Sequence, residues 1–349
     1  MIKRFNAFVL NALFLVQFLV TGLQAQNKSD SLFVKVESGA IISSKEFNPF
    51  YLTHNRWGTV SFDQNVFFQV EAGAYKSLSE NWAIKGNAGI RNEFLYSAYL
   101  DVIWKKFNLY AGRKGRILGG IENDELNTGS LAFGNNSLPI PQVGLDVDYF
   151  ALPLSHGYIK LKGGISHGWF EKNRYVSKPL LHQKYAKLLI DLDDLIGLRV
   201  YSSLIHFAQY GGVSPQGDRQ PSSWSDFIKV FFGQGIPNPL GGTRGESNAV
   251  GNHLGITEWT WDQRLGNYRL QINYQKPFED QGSMQYLSFK DFLVGARVVF
   301  PESSKISALY FEWIRSVSQS GPGLPDGTDE YQTREDNYGY EIGGRDDYY

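Results

Sequence analysis

Apolar and polar residues alternate at every second position through much of this chain. Tyr268, Leu270, Ile272 and Tyr274 trade places with Arg269, Gln271, Asn273 and Gln275, so an extended backbone puts the first four on one face and the polar four on the other. Earlier, Val66, Phe68, Val70, Ala72 and Ala74 oppose Phe67, Gln69, Glu71, Gly73 and Tyr75, and Trp82, Ile84, Gly86, Ala88 and Ile90 oppose Lys85, Asn87 and Arg91. The two runs flank a turn-like segment, Lys76 to Asn81, and read as a hairpin. Tyr96, Ala98, Leu100, Val102 and Trp104 form another apolar row, with Phe107, Leu109 and Ala111 starting its partner beyond Lys105-Lys106. Val143 to Tyr149 and Ile159 to Ile165 alternate likewise, with Asp146 and Asp148 facing Lys160 and Lys162 as charges able to pair across a lumen. Ala186 to Asp191, Leu198 to Phe207, Phe292 to Phe300 and Ile306 to Trp313 complete a count of about fourteen strands.

Aromatic residues close many of these apolar rows at both ends. This is the pattern of a strand facing lipid, with aliphatics in the hydrocarbon band, tyrosine and tryptophan at the two interfaces, and a wet lumen opposite. The predicted fold class is therefore all-β: a transmembrane antiparallel up-and-down β-barrel. Gly112 to Pro141 and Gln209 to Val250 are rich in Gly, Asn, Pro and Ser and read as long loops, the places where a rigid scaffold carries binding residues. One short helix is predicted near Ser222 to Phe232.

The start changes the picture first. Lys3 and Arg4 precede an apolar run from Ala7 to Val20, with small Ala25 behind it, which predicts a signal peptide over 1–25 and a mature start at Gln26. Residues 26–64 read as a periplasmic lead-in with a first strand at Leu32 to Val36, and 65–349 as the outer-membrane barrel. A negative mean hydropathy suits a soluble protein, but a barrel escapes that test, since only alternate residues of each strand face lipid. Aromatics make up 15% of the chain, there is no cysteine, and the net charge is −1. Disulfides, thiolate metal sites and thiol nucleophiles are thereby excluded, and no basic block suits nucleic acid. Six scattered histidines show no metal-ligand spacing, so neither a metal nor another cofactor is expected. His156 and His167, separated by a strand and a turn, read as lumen or loop histidines, and Asp193-Asp194 as a turn rather than a calcium loop.

Several short motifs in order and spacing, namely Leu181-His182-Gln183-Lys184, Gly211-Gly212, Gly251-Asn252-His253-x-Gly255, Glu279-Asp280 with Gly282-Ser283, Asp291-x-x-x-Gly295 and Gln319-Ser320-Gly321, resemble the Wzi capsule-assembly family in its Bacteroidetes form. Ala111-Gly112-Arg113, Gly119, Gly129-Ser130 and the run from Asn135 to Pro141 fit the same resemblance. It implies an eighteen-stranded outer-membrane barrel acting as a lectin that retains capsular polysaccharide at the cell surface, without catalysis. The family usually continues past Tyr349, so the resemblance implies a C-terminally truncated chain. The family's periplasmic helical bundle has no clear counterpart between Asn27 and Asn65.

A saccharide site needs amides, carboxylates and cations for hydroxyls and aromatic faces for the apolar sides of the rings. Asn252, His253, Glu258, Glu279, Asp280 and Gln319, near Trp259, Trp261 and Tyr286, are the candidate ligand-binding residues. The simpler alternative has Asn252 and His253 holding a turn, Glu258 paired with Arg269 or Arg297, and the tryptophans in an aromatic girdle. The expected partners are an exported glycan, capsular polysaccharide above all, and outer-membrane lipid. Two rivals keep the same strands: a diffusion porin with an open lumen, and a lipid-modifying enzyme using Ser283 and His253.

Overall fold

In a computed structural model of the protein, residues 30–41, 48, 50–60, 66–121, 126–215, 217–234, 250–278 and 291–316 are described. The predicted signal peptide and the segment after Arg315-Ser316 lie outside them. Thirteen strands form one sheet in chain order: β1 Asp30–Ala40, β2 Val66–Ser77, β3 Trp82–Arg91, β4 Phe94–Trp104, β5 Phe107–Arg113, β6 Pro141–Ala151, β7 Ile159–Trp169, β8 Leu180–Leu192, β9 Leu198–Tyr210, β10 Asn252–Leu265, β11 Tyr268–Phe278, β12 Phe292–Val299 and β13 Ala308–Arg315. Helix is confined to α1 Phe50–Thr53, α2 Asp193–Ile196 and α3 Trp224–Phe232 among the described residues. No described helix is long and apolar enough to cross a membrane. Most strands reach the length that a tilted membrane-crossing strand requires.

The chain divides into two compact units. The first holds residues up to Trp104 with Ala111–Arg116 and Asn135–Pro139. Here β1, β2, β3 and β4 pair antiparallel in succession. The register between β3 and β4 shifts at Gly89/Ile90, a bulge that sets two β4 residues against one on β3 and turns side chains over. Tyr96 therefore leaves the apolar row that strict alternation assigns it. It is buried, and its hydroxyl donates to Glu71 Oε2 at 3.0 Å. Leu95 takes the exposed side instead. On the polar face, Asn87 Nδ2 donates to Glu71 at 2.8 Å, Ser97 Oγ donates to Asn87 at 2.5 Å, and Lys114 meets Asp101 at 2.7 Å.

The second unit holds Lys105–Tyr110, Ile117–Gly134 and everything from Ile140 onward. From β6 to β13 each strand pairs antiparallel with the next. Its connections are unequal. At one end β8 passes to β9 through α2 and β10 to β11 through Gly266 and Asn267, while at the other the chain spends 211–251 between β9 and β10. Long loops at one end and tight turns at the other are the usual asymmetry of an outer-membrane barrel.

The alternation survives in three dimensions. Leu204, Trp259, Trp261, Tyr268 and Ile272 are exposed on the apolar face, while Ser203, Glu258, Thr260, Asp262, Asn273 and Gln275 are buried on the polar face. Charges near the tight-turn end are compensated there. Arg199 pairs with Asp191 and Asp193, and Arg269 with Asp193 and Asp262. Asp193 opens the single turn of α2 instead of a calcium loop. Lys160 reaches Asp191 at 2.8 Å and Lys162 reaches Asp148 at 3.8 Å. His156 precedes β7 and His167 lies near its far end, so the strand separates them.

Candidate functional site

Residues 117–121 and 126–134, part of the predicted loop from Gly112 to Pro141, lie as a strap on the polar face of the second unit. Its backbone supplies donors that the sheet's side chains accept. Gly120 N–H donates to Glu258 Oε2 at 2.5 Å, Leu131 N–H donates to Gln275 Oε1 at 3.0 Å, and Thr128 donates from N–H and hydroxyl to Glu312 Oε2 at 3.1 and 2.5 Å. Gln275 Nε2 also donates to Glu258 at 2.8 Å, joining two of these anchors. Within the strap, Asn127 Oδ1 accepts from Gly129 N–H and Ser130 Oγ accepts from the N–H groups of Ala132 and Phe133. A loop that leaves secondary structure must satisfy its buried backbone groups by other means, and these side chains do so.

An apolar cluster seals the contact. Leu118 of the strap joins Leu181, Tyr185, Ile205, Phe207 and Ile256 of β8, β9 and β10, with Leu131, Ala132 and Phe133 packed alongside. The rings of Phe133 and Phe207 stack at 5.3 Å with planes 7° apart. Glycine is required where the backbone comes closest. At Gly119 a Cβ would sit 3.0 Å from Ile256 Cδ1 and Ser130 Cβ, and Gly120 and Gly129 take φ of +84° and +96°, a region closed to most L-residues.

Glu258 is the centre of this arrangement. It is almost wholly buried and lies in a lateral row, Lys187, Ser203, Glu258 and Gln275, across β8 to β11. Burying a carboxylate is expensive unless hydrogen bonds and a nearby cation compensate it. The Gly120 amide and Gln275 supply the bonds, and Lys187 supplies the field. Its oxygens hold a structural tether. Arg269 and Arg297, the expected ion-pair partners, bond Asp262 and Gln271 instead.

The other predicted residues fall on different surfaces. Asn252 is exposed at the start of β10. His253 is on the apolar face, where its Nδ1 is 2.8 Å from His206 Nε2 and its Nε2 is 3.0 Å from the Val250 carbonyl. The carbonyl accepts only from a protonated Nε2, so the partners assign His253 Nδ1 as acceptor and His206 Nε2 as donor. Trp259 and Trp261 share that face, with Trp259 stacked on Tyr274 at 5.9 Å and Tyr274 on Phe292 at 6.3 Å, an interfacial aromatic row. Glu258 thus points away from His253 and both tryptophans, because its position in the alternation has the opposite parity. Glu279, Asp280 and Gln319, with Ser283 and Tyr286, lie outside the described residues. Among the described residues, no group of three or more His, Cys, Asp or Glu side chains is arranged to hold a metal.

Both glycines of one motif behind the resemblance, Gly251-Asn252-His253-x-Gly255, have packing explanations. Gly251 turns with φ +92°, and a Cβ on Gly255 would collide with the Phe278 ring and the Ile205 carbonyl. The signal that could have exposed the strap was the pair Gly119-Gly120 with Gly129-Ser130, since glycines this dense in a long loop mark close backbone approach.

No family model matches the chain, and no curated protein matches it. Among solved structures it is similar to "Salmonella typhi OmpF complex with Daunomycin", at 9% identity and a TM-score of 0.37, over 88% of this chain and 94% of that one.

Proposed function

We propose that the sheet closes into an outer-membrane β-barrel with its polar face inside, and that the protein is a non-enzymatic binder of an exported glycan, such as capsular polysaccharide, at the cell surface. The observation that carries this reading is the strap. A diffusion porin needs an open, wet interior, whereas here backbone and apolar side chains of 117–121 and 126–134 cover part of the polar face through three side-chain anchors and a packed apolar cluster. A filled interior favours holding over transport. Glycan recognition then falls to the long-loop end, where Asn252 is exposed and where the segments bearing Glu279, Asp280 and Gln319 attach in sequence. The Wzi-like motifs supply the chemical class of the partner.

Two measurements test this. In planar bilayers the intact protein is expected to give no stable conductance, and a variant with residues 119–132 replaced by a short Gly-Ser linker is expected to open a channel. Large channels from the intact protein would instead establish the porin reading. In its own host, deletion of the gene is expected to leave capsule synthesis unchanged and release the polysaccharide into the medium. Unchanged retention would remove the glycan-binding role.

A further inference from the structure

Helix α3 presents apolar side chains that stand exposed among the described residues. Six of its nine residues are apolar: Trp224, Phe227, Ile228, Val230, Phe231 and Phe232. At about 100° per residue, Phe227, Val230 and Phe231 point one way, Trp224, Ile228 and Phe232 occupy the adjoining arc, and Ser225, Asp226 and Lys229 form the remaining strip. The first trio rests on the apolar face of the sheet. Val230 packs with Ala208, Tyr210 and Val250, Phe227 meets His167, His182 and Tyr210 edge-on or tilted, and Lys184 donates from Nζ to the Phe231 carbonyl, a cation at the helix C-terminus. The second trio is open. Trp224 is 75% exposed, Phe232 65% and Ile228 38%.

The helix is rigidly held despite this exposure. Ser223 and Asp226 form a reciprocal capping box, and Gly233 closes the C-terminus in the left-handed conformation. The sheet face on which α3 rests carries further exposed apolar residues, since Leu204 lies on the same face of β9 as His206, Ala208 and Tyr210 by alternation, and Trp169 meets His167 edge-on. A helix lying at a bilayer surface has this anatomy: one side on protein or lipid tails, and a narrow polar strip toward water.

We infer that α3 is an interfacial helix that inserts Trp224, Ile228 and Phe232 into the acyl region of the surrounding leaflet at the long-loop end, pinning that end of the sheet to the lipid surface. The inference rests on the outer-membrane reading above, and the test separates the two. Because the chain lacks cysteine, Ile228→Cys and Leu204→Cys each provide a unique site for an environment-sensitive fluorophore in proteoliposomes. Lipids carry a nitroxide either near the headgroup or at the chain end, and iodide is the aqueous quencher; resistance of the folded band to unheated detergent electrophoresis shows that each variant has folded.

For Ile228→Cys, the headgroup-proximal nitroxide is expected to remove most of the emission and iodide little, matching insertion of about 5–10 Å. Leu204→Cys should be quenched by lipid nitroxide as well. If the label at 204 is quenched by lipid and the label at 228 by iodide alone, the helix stands in water and the inference fails while the membrane reading stands. If neither label senses lipid, the membrane reading fails and the inference falls with it. A label at 228 shielded from both quenchers identifies a protein or glycan cover and also overturns lipid insertion.

Discussion

At the scale of single residues, the decisive feature is a carboxylate used as a tether. Glu258 accepts from the Gly120 amide and from Gln275 inside a dry contact. Glu258→Ala leaves the Gly120 amide buried and unmatched and leaves Gln275 Nε2 only its 3.4 Å bond to Asn273, with an expected cost of about 1–3 kcal/mol for the orphaned amide. Glu258→Gln keeps one acceptor oxygen and should cost clearly less. Urea midpoints of the folded electrophoretic band in detergent order the variants, and equal loss for both would show that the strap is held without this bond. Glycines give a second residue-level test. Gly255→Ala drives a Cβ into the Phe278 ring and the Ile205 backbone, and about 1–3 kcal/mol of destabilisation is expected from overpacking. Gly217→Ala meets nothing within 4 Å at φ +93°, so it bears only the left-handed backbone cost of about 1–2 kcal/mol. A larger effect at Gly217 than at Gly255 would contradict the packing explanation.

At the scale of elements, strands and helix were legible to different degrees. Period-two alternation located β2, β3, β7, β9, β11 and β12 because each has one wet and one dry face, and that asymmetry is written into the sequence itself. It mislaid Tyr96 because a bulge shifts parity without leaving a mark in the pattern. Helix α3 falls within the segment predicted for it, helped by its cap. The Ser223 hydroxyl, followed by its backbone N–H, donates to Asp226 and lowers the carboxyl below its usual pKa. A depressed folded pKa means that the stabilisation is fully present above the unfolded value of about 4 and is lost as pH falls through the folded value. Amide hydrogen exchange across 224–232 should therefore be flat from neutral pH to about pH 5 and accelerate below about pH 4, after correction for intrinsic rates. Ser223→Ala should weaken helix protection by about 1 kcal/mol. An acid response unchanged in that variant would remove the capping box as its cause.

At the scale of the whole molecule, function turns on what fills the polar face. A strand pattern is compatible with a pore, an enzyme or a binding protein, because one architecture hosts several activities. The strap covers part of the polar face of the second unit, and the bilayer conductance of the strap-replaced variant is the test of whether the proposed barrel is filled by it. In the first unit, the polar face is likewise lined by bonded groups such as Glu71, Asn87 and the Lys114–Asp101 pair. The proposed glycan site lies elsewhere, at loop positions reached by Asn252, so tether and ligand variants should separate. Glu258→Gln should alter stability and conductance, and Asn252→Ala should alter capsule retention with little change in either.

The sequence by itself determined the all-β antiparallel class, the parity of most strand residues and the position of α3, because those depend on local periodicity and local capping. Only the tertiary structure decided which distant group meets each face of β10, the Gly120 amide at Glu258 and the His206 ring at His253. It alone decided that a glycine-rich loop serves as a strap, that Arg269 pairs with Asp262 and Asp193 rather than Glu258, and that Trp224, Ile228 and Phe232 of α3 stand exposed. The physical reason is the same in each case. Burial and ion pairing are settled by which distant segment arrives at a surface, and the register between strands carries that information across the sheet, not along the chain.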